Sequence, residues 1–501
     1  MLTYAVVLCY FSLYNSSKAA PLSASSNLVN AFAAAGASLR DTTSVGTTSC
    51  PRTRLEIIWA CLATILAASW VSVHPNMPNP SDSAFKKTVR RMELMFWAIA
   101  SPELIIYWAM RQWYGVKKMQ REFPAVLCYE DEEPVSGPLT EEDFARRNCF
   151  KWTNTHGFFL QMGGFVLYQE GIAHQVLGWH TLLEYYSQGR INLCGITEQS
   201  INDHSKADGF GKGIALVQTL WFIIQCVARF SDERLVLTEL ELLTAALAVL
   251  SLIMYLLWWY KPFKAETPVS ITLLAPNSWH PAEAPVTQNT QDQGTLKAPK
   301  KTTLSLRKLV RKVFISTPYA VGKRMLDRIL DLVTEHGVRV PIGPGDPLDH
   351  RNAQSTMKAP TFYSLSARSP LVDLKMMCAC FSAAALFGAI HCVGWSSKIR
   401  FSSHAASLLW RISSAYITGS TPVWIFLVVF DYATRVSQPG TLLHRVYYVV
   451  WRGFYVTSFL TIPFYFMARV TLLLLSFLQL RNLPQGALDN VEWAHVIPFI
   501  H

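Results

Sequence analysis

The sequence predicts an all-α, polytopic transmembrane helix bundle of about seven spans, with a large basic loop between the fourth and fifth. Three observations carry that expectation. Apolar runs of spanning length recur along the chain, most of them closed by tryptophan, tyrosine or basic residues. A composition of 51% hydrophobic against 16% charged residues, with mean hydropathy +0.21, is too apolar for an ordinary soluble chain of 501 residues. The formal net charge of +11 is also uneven, because residues 261–370 hold sixteen Lys and Arg against eight Asp and Glu. That segment is where an anionic partner is expected.

The elements follow in order. Residues 1–14 are apolar but too short to span, and Ser17-Lys18-Ala19 offers small residues to a signal peptidase. Residues 1–19 therefore read as a signal peptide, although the basic n-region is missing and a disordered or interfacial N-terminus is the alternative. Residues 20–52, rich in Ala, Ser and Thr, read as disordered.

The first transmembrane group is expected over residues 53–260. Its first span, about Ile57 to Val73, is closed by His74-Pro75-Asn76-Met77-Pro78-Asn79-Pro80 and followed by Lys86, Lys87, Arg90 and Arg91. The second, about Leu94 to Trp113, carries Pro102 and Glu103 at its middle. Residues 157–167 form an apolar stretch too short for an upright span, expected to be re-entrant, interfacial or buried against the bundle. Spans three and four, about Gly213 to Phe230 and Leu240 to Tyr260, are joined by Ser231-Asp232-Glu233-Arg234 and must form a tight hairpin, with Thr238 as N-cap.

The basic hydrophilic loop covers residues 261–373. The second group, residues 374–501, supplies spans at about Leu374 to Trp395, Leu408 to Phe430 and Val446 to Phe477, then a C-terminal tail; the last span is long enough for tilt or for a break at Pro463. No alternating strand pattern competes, and no internal repeat supports an inverted-repeat transporter. With a cleaved signal peptide, seven spans place the Lys86–Arg91 group and the C-terminus in the cytosol and the 261–370 loop outside, against the cytosolic look of its charge.

Five cysteines, Cys61, Cys226, Cys378, Cys380 and Cys392, lie in apolar runs and read as packing residues, which leaves Cys50, Cys128, Cys149 and Cys194 open to a bridge. Intramembrane charge is the main source of functional candidates, since each ionisable group in a span costs about 2.5 to 3.5 kcal/mol on insertion scales. Glu103 follows Ser101-Pro102, where a proline opens the helical ladder, so a proton or cation site is one reading. A packing pair with Arg111, His391 or Arg411 is the other. His391 reads either as a pH-sensitive partner of that carboxylate or as a neutral histidine bonded to a backbone carbonyl, and Arg411 lies near the start of its span, where it can snorkel. Glu170, His174, His180 and Glu184 match no zinc motif and read as a solvated amphipathic segment, and no metal or cofactor is expected.

In the loop, Leu304 to Ile315 sets Arg307, Lys308, Arg311 and Lys312 on one helical face opposite Leu306, Leu309, Val310 and Val313. Such a helix lies on an anionic lipid surface, binds a protein partner, or packs on the rest of the loop. The chain shows no P-loop, no dinucleotide fingerprint and no G-x-S-x-G, and nothing in it points to nucleic acid.

The stretches His156–Phe165, Ser205-Lys206-Ala207-Asp208, Gln218–Phe222, Thr238–Glu241 and Trp258–Pro262, continued by Phe387–Trp395, Leu409–Ser413 and Leu480–Pro484, resemble a family of uncharacterised fungal multi-pass integral membrane proteins. The resemblance covers about residue 52 to the C-terminus and implies an architecture, without substrate, cofactor or catalytic residue. Three readings of function stand: a membrane binding or scaffolding protein that meets lipid or a protein partner through its basic loop, an ion or small-molecule transporter using Glu103, and a seven-helix receptor suggested by span count alone. A secretory-pathway membrane, plasma membrane or endomembrane, is expected in each case.

Overall fold

The computed structural model describes residues 52–78, 82–129, 150–169, 172–204, 209–274, 361–365, 369–436 and 442–491. The expected signal peptide, the Ala/Ser/Thr-rich segment before Arg52, and Arg307, Lys308, Arg311 and Lys312 lie outside the described residues.

Twelve α-helices and three short strands run along the described chain: α1 Arg54–Ser72, α2 Ala84–Ala100, α3 Pro102–Tyr129, α4 Asn154–Gln161, β1 Phe165–Gln169, β2 Ile172–Val176, α5 Trp179–Ser187, α6 Glu198–Asp203, α7 Gly209–Ser231, α8 Glu239–Leu257, β3 Val269–Thr272, α9 Pro370–Cys392, α10 His404–Val436, α11 Leu442–Leu478 and α12 Gln485–Leu488. Among the described residues six helices are long and apolar enough to cross a membrane: Arg54–Ser72, Gly213–Ser231, Glu239–Leu257, Pro370–Trp395, His404–Ala433 and Thr461–Arg481. Their outward faces carry large exposed apolar side chains, among them Trp59, Val217, Phe426 and Met467. In a helix meant for lipid that is the expected distribution.

Local chemistry starts these helices where the sequence places them. Thr53 and Glu56 form a capping box on α1, and Thr238 and Glu241 form one on α8, each pair satisfying two backbone donors at the helix start. Helix α8 is the interior one, with its first ten residues buried. Pro463 leaves α11 continuous, so of the two expectations for that span the break does not occur.

The expected second span, Leu94 to Trp113, is not one helix. Ser101, at φ −148° and ψ 68°, interrupts it, because Pro102 has no N–H to continue the α2 ladder and disfavours helical backbone before it. Two helices result in place of one.

Hydrogen bonds show which helix ends meet. At one end Arg52 N donates to Leu488 O (2.6 Å), Val236 N to Gly486 O (3.0 Å) and Ser402 N to Gln479 Oε1 (2.9 Å), so the start of α1, the α7–α8 and α9–α10 turns and α12 lie together. At the opposite end the finish of α1 meets the finish of α8, where Lys261 Nζ donates to His74 O at 2.6 Å. The Lys86–Arg91 group belongs to this second end, since Arg91 Nη2 donates to Trp70 O at 2.8 Å. Residues 361–365 belong there too, through Asn76 Nδ2 to Thr361 O at 3.3 Å. The seven-span reading puts the Lys86–Arg91 group with the C-terminus and apart from residues 261–370. The six-helix arrangement does the reverse for the described parts of these segments.

A small α/β layer covers the second end, and here the all-α expectation needs correction. Strands β2, β1 and β3 form one sheet in that order, with β1–β2 antiparallel and β1–β3 parallel, Phe165 facing Val269 and Tyr168 facing Thr272. The first residues of the expected basic loop thus supply a strand. Residues 157–167 are buried, as the end of α4, a turn at Gly163 (φ 84°) and most of β1. Phe158 joins the bundle core, whereas Phe159 and Phe165 join a second core with Phe123, Trp152, Trp179 and Ile271.

Candidate functional site

Two buried polar clusters stand out against this apolar frame. The first lies at the α2–α3 break. Glu103, in the first turn of α3, places Oε2 2.9 Å from Arg469 Nη2 of α11, and both side chains are under 10% exposed. Tyr465, one turn before Arg469, donates to Glu103 Oε1 at 3.2 Å and accepts from Arg469 Nε at 3.2 Å. Arg469 Nη1 also donates to Ala100 O at 3.0 Å, taking up a carbonyl at the end of α2. Its guanidinium sits 4.0 Å over the Phe387 ring. The result is a compact buried ion pair with aromatic walls, which offsets the cost of burying either charge alone.

Of the expected partners of Glu103, none is the observed one. His391 is fully buried and turns Nδ1 to Phe387 O at 2.7 Å, against the Phe387 and Trp410 rings. Its bond to a backbone carbonyl matches the second of its two expected readings. Arg411 is exposed on α10, and Arg111 lies over the Tyr107 ring.

The second cluster sits where α1, α3 and α8 end together with residues 361–365. Lys261 is 1% exposed, and its ammonium meets three oxygens: His74 O at 2.6 Å, Gln112 Oε1 at 2.9 Å and Asn76 Oδ1 at 3.1 Å. The Trp108 and Trp258 rings lie 4.6 and 4.7 Å from Nζ. Gln112 is the hub, since its Nε2 donates to Tyr363 O at 2.8 Å and to Asn76 Oδ1 at 3.2 Å, while its Oε1 also accepts from Trp258 Nε1 at 3.0 Å. Gln161 extends the network, donating to Gln112 O and accepting from Leu365 N. Burial pushes the Lys261 amine well below the usual lysine range, and the like charge of Arg90 adds to the shift. Three aligned acceptors and two indole faces work the other way, because each favours the ammonium. Arg91 nearby lies between the Trp70 and Phe263 rings at 3.8 and 4.6 Å, and burial pushes its guanidinium down to about 10.

At the opposite end Glu241 pairs with Arg52 at 2.8 Å, while Arg229 donates to Val236 O, Gly486 O, Ala487 O and Asp489 O, tying α12 to the α7–α8 turn. Glu239 lines a small recess with Arg400, Gln479 and Asn482, and its Oε1 has no hydrogen-bond partner among the described residues. Of the four residues of the dismissed metal motif, Glu170 lies outside the described residues, His174 is on β2, and His180 and Glu184 are on α5. No group of three or more His, Cys, Asp or Glu suited to a metal occurs among the described residues. Cys194 is disulfide-bonded, one of the four cysteines for which the sequence leaves a bridge open.

Arg469, Gln112, Asn76 and Arg229 were missed by the sequence reading. A lone arginine in the apolar run Tyr465–Phe477 is a usable signal, because a charge inside a span requires a partner and Glu103 was already seeking one. Gln112 and Asn76 carry no comparable signal, since neutral amides in a helix end and a proline-rich turn read as ordinary boundary residues.

A model described as a family of unknown function (DUF8562) matches residues 25–278. It takes in the motifs from His156 to Pro262 and stops before those from Phe387 onward. It also begins within the stretch before residue 52, for which the resemblance held nothing. No curated protein and no solved structure matches the chain.

Proposed function

This chain belongs to DUF8562, a family of unknown function, and we propose that its role is that of a membrane-embedded platform, which presents a basic segment from one end of a helical bundle to an anionic partner. The observation that carries this reading is the anchoring of both ends of that segment on a single base. On one side Leu273 N and Leu274 N donate to Tyr168 O and Arg190 O, each at 2.8 Å. On the other, the carbonyls of Thr361 and Tyr363 and the amide of Leu365 are held by Asn76, Gln112 and Gln161. Between these anchors runs the stretch with Arg307, Lys308, Arg311 and Lys312. The resemblance to fungal multi-pass membrane proteins fits a platform as well.

The disulfide at Cys194 adds a location. Disulfides persist in oxidising compartments, so this reading places the α/β face in the lumen of an endomembrane or at the cell exterior. The anionic partner is then a headgroup or an acidic protein surface on that side.

A direct test uses the protein in neutral phosphatidylcholine nanodiscs, probed separately with phosphatidylserine vesicles and with polyglutamate. Four basic residues at about 1 kcal/mol each predict a loss of roughly a thousandfold when Arg307, Lys308, Arg311 and Lys312 are all changed to Gln. Whichever probe binds identifies the partner chemistry. Equal binding by the wild type and the quadruple variant, or binding by neither, would sink the platform reading.

Transport through Glu103 is the second reading, and the ion pair at the α2–α3 break is the observation in its favour. It requires ion flux in proteoliposomes that Glu103→Gln abolishes. The platform reading requires no such flux, and partner binding that this substitution leaves unchanged.

A further inference from the structure

Helix α2 and the part of α3 up to Gln112 begin and finish at the same end of the bundle. Arg91 donates to Trp70 O at the finish of α1, and Gln112 Oε1 accepts from Trp258 Nε1 at the finish of α8. Between these points the chain reaches inward to Ala100 O and Glu103, both bonded by Arg469 from within α11. Cys380 Sγ, in contact with Glu103 O at 3.4 Å, gives the depth: it lies ten residues into α9 from Pro370, about 15 Å at 1.5 Å per residue, or roughly half of a 30 Å hydrocarbon core. The inward run from Arg91 to Ala100 and the outward run from Pro102 to Gln112 are each of about the same length.

We propose that α2 and the first half of α3 are a re-entrant hairpin that inserts into one leaflet only, with the exposed face of α2 laid against the acyl chains and headgroups of that leaflet. The occupant of that face follows from its chemistry. Phe85, Val89, Met92 and Phe96, spaced four, three and four apart, fall on one stripe and are 79%, 48%, 36% and 39% exposed. Every basic residue of α2 lies in its first two turns, at Lys86, Lys87, Arg90 and Arg91, and the helix is apolar from Leu94 to its end at Ala100. Charge at headgroup level grading into an apolar tip at mid-bilayer is what a leaflet-deep insertion requires. A helix packed against water or against another protein has no need of that gradient along its axis.

The hairpin tip is irregular backbone at membrane depth, and such backbone persists only where its polar groups are satisfied by protein. Arg469 meets that condition by donating to Ala100 O while pairing with Glu103.

The test is topological and does not depend on the platform reading. In sealed vesicles holding the full chain, Lys86→Cys before the tip and Arg121→Cys after it are compared with Arg234→Cys in the α7–α8 turn, each over the wild-type background, using a membrane-impermeant maleimide. A re-entrant hairpin predicts that positions 86 and 121 label from the same side and position 234 from the other. Labelling of 86 and 121 from opposite sides would overturn it. Trypsin cleavage of the unmodified protein in the same vesicles, read by peptide mass spectrometry, gives an independent answer. Cuts after Lys87 and after Arg121 from one side support the hairpin, and cuts from opposite sides exclude it.

Discussion

Glu103 and Arg469 hold one another in a place where neither can reach water, so the cost of removing one partner is set by the charge left behind. Glu103→Gln and Arg469→Gln are each expected to destabilise the protein by about 3 to 5 kcal/mol, whereas the double variant recovers a large part of that loss. Reversible chemical unfolding in detergent, taken through the double-mutant cycle, measures the coupling. Additive losses would show that the pair contributes nothing jointly.

Lys261 makes a prediction of another kind. Its folded pKa lies below the unfolded lysine value, so the unfolded chain binds more protons across the interval between the two. Stability is therefore expected to rise with pH from that depressed value up to about 10.4, where the unfolded lysine titrates. Lys261→Met is expected to flatten this rise in unfolding curves taken from neutral to alkaline pH, and to lower stability at neutral pH because three buried oxygens lose their donor. An unchanged alkaline slope in the variant would assign the rise to other groups.

Between elements, α9 and α10 approach one another closely at Gly388. A Cβ at Gly388 would lie 2.4 Å from Thr418 Oγ1 and 2.8 Å from Thr418 N, so the two helices meet at a distance only glycine allows. Ala384, one turn earlier, is small and buried as well. Gly388→Ala is expected to cost about 1 to 3 kcal/mol by forcing the helices apart. Gly419→Ala, in the same α10 but with open space at its Cβ, controls for the propensity gain and is expected to be neutral or stabilising in the same unfolding assay.

The α2–α3 break shows how far element boundaries could be read. Pro102 was visible as an interruption, and a twenty-residue apolar run across it still resembled one span. Length and hydropathy register how apolar a run is, but not whether the chain turns back halfway. Strand β1 escaped for a related reason. Phe165, Val166 and Leu167 are all buried, and a strand covered on both faces shows no alternation to distinguish it from a short piece of helix.

Across the whole molecule, the place and order of six of the seven expected spans were legible, because crossing a bilayer imposes one requirement, about twenty apolar residues with every backbone group satisfied locally, that can be checked segment by segment; their number was not, since the expected second span is two helices. The N-cap at Thr238, the Ser231–Arg234 hairpin and the apolar surroundings of Cys61, Cys226 and Cys380 were likewise local facts. The identity of the partner of Glu103, the convergence of Lys261, Gln112 and Asn76, and the gathering of the 261–274 and 361–365 segments at one end were decided by tertiary structure. Each of these joins residues 36 to 366 positions apart, and composition and periodicity are blind to separations of that kind, since they depend on which helix faces meet when the bundle closes.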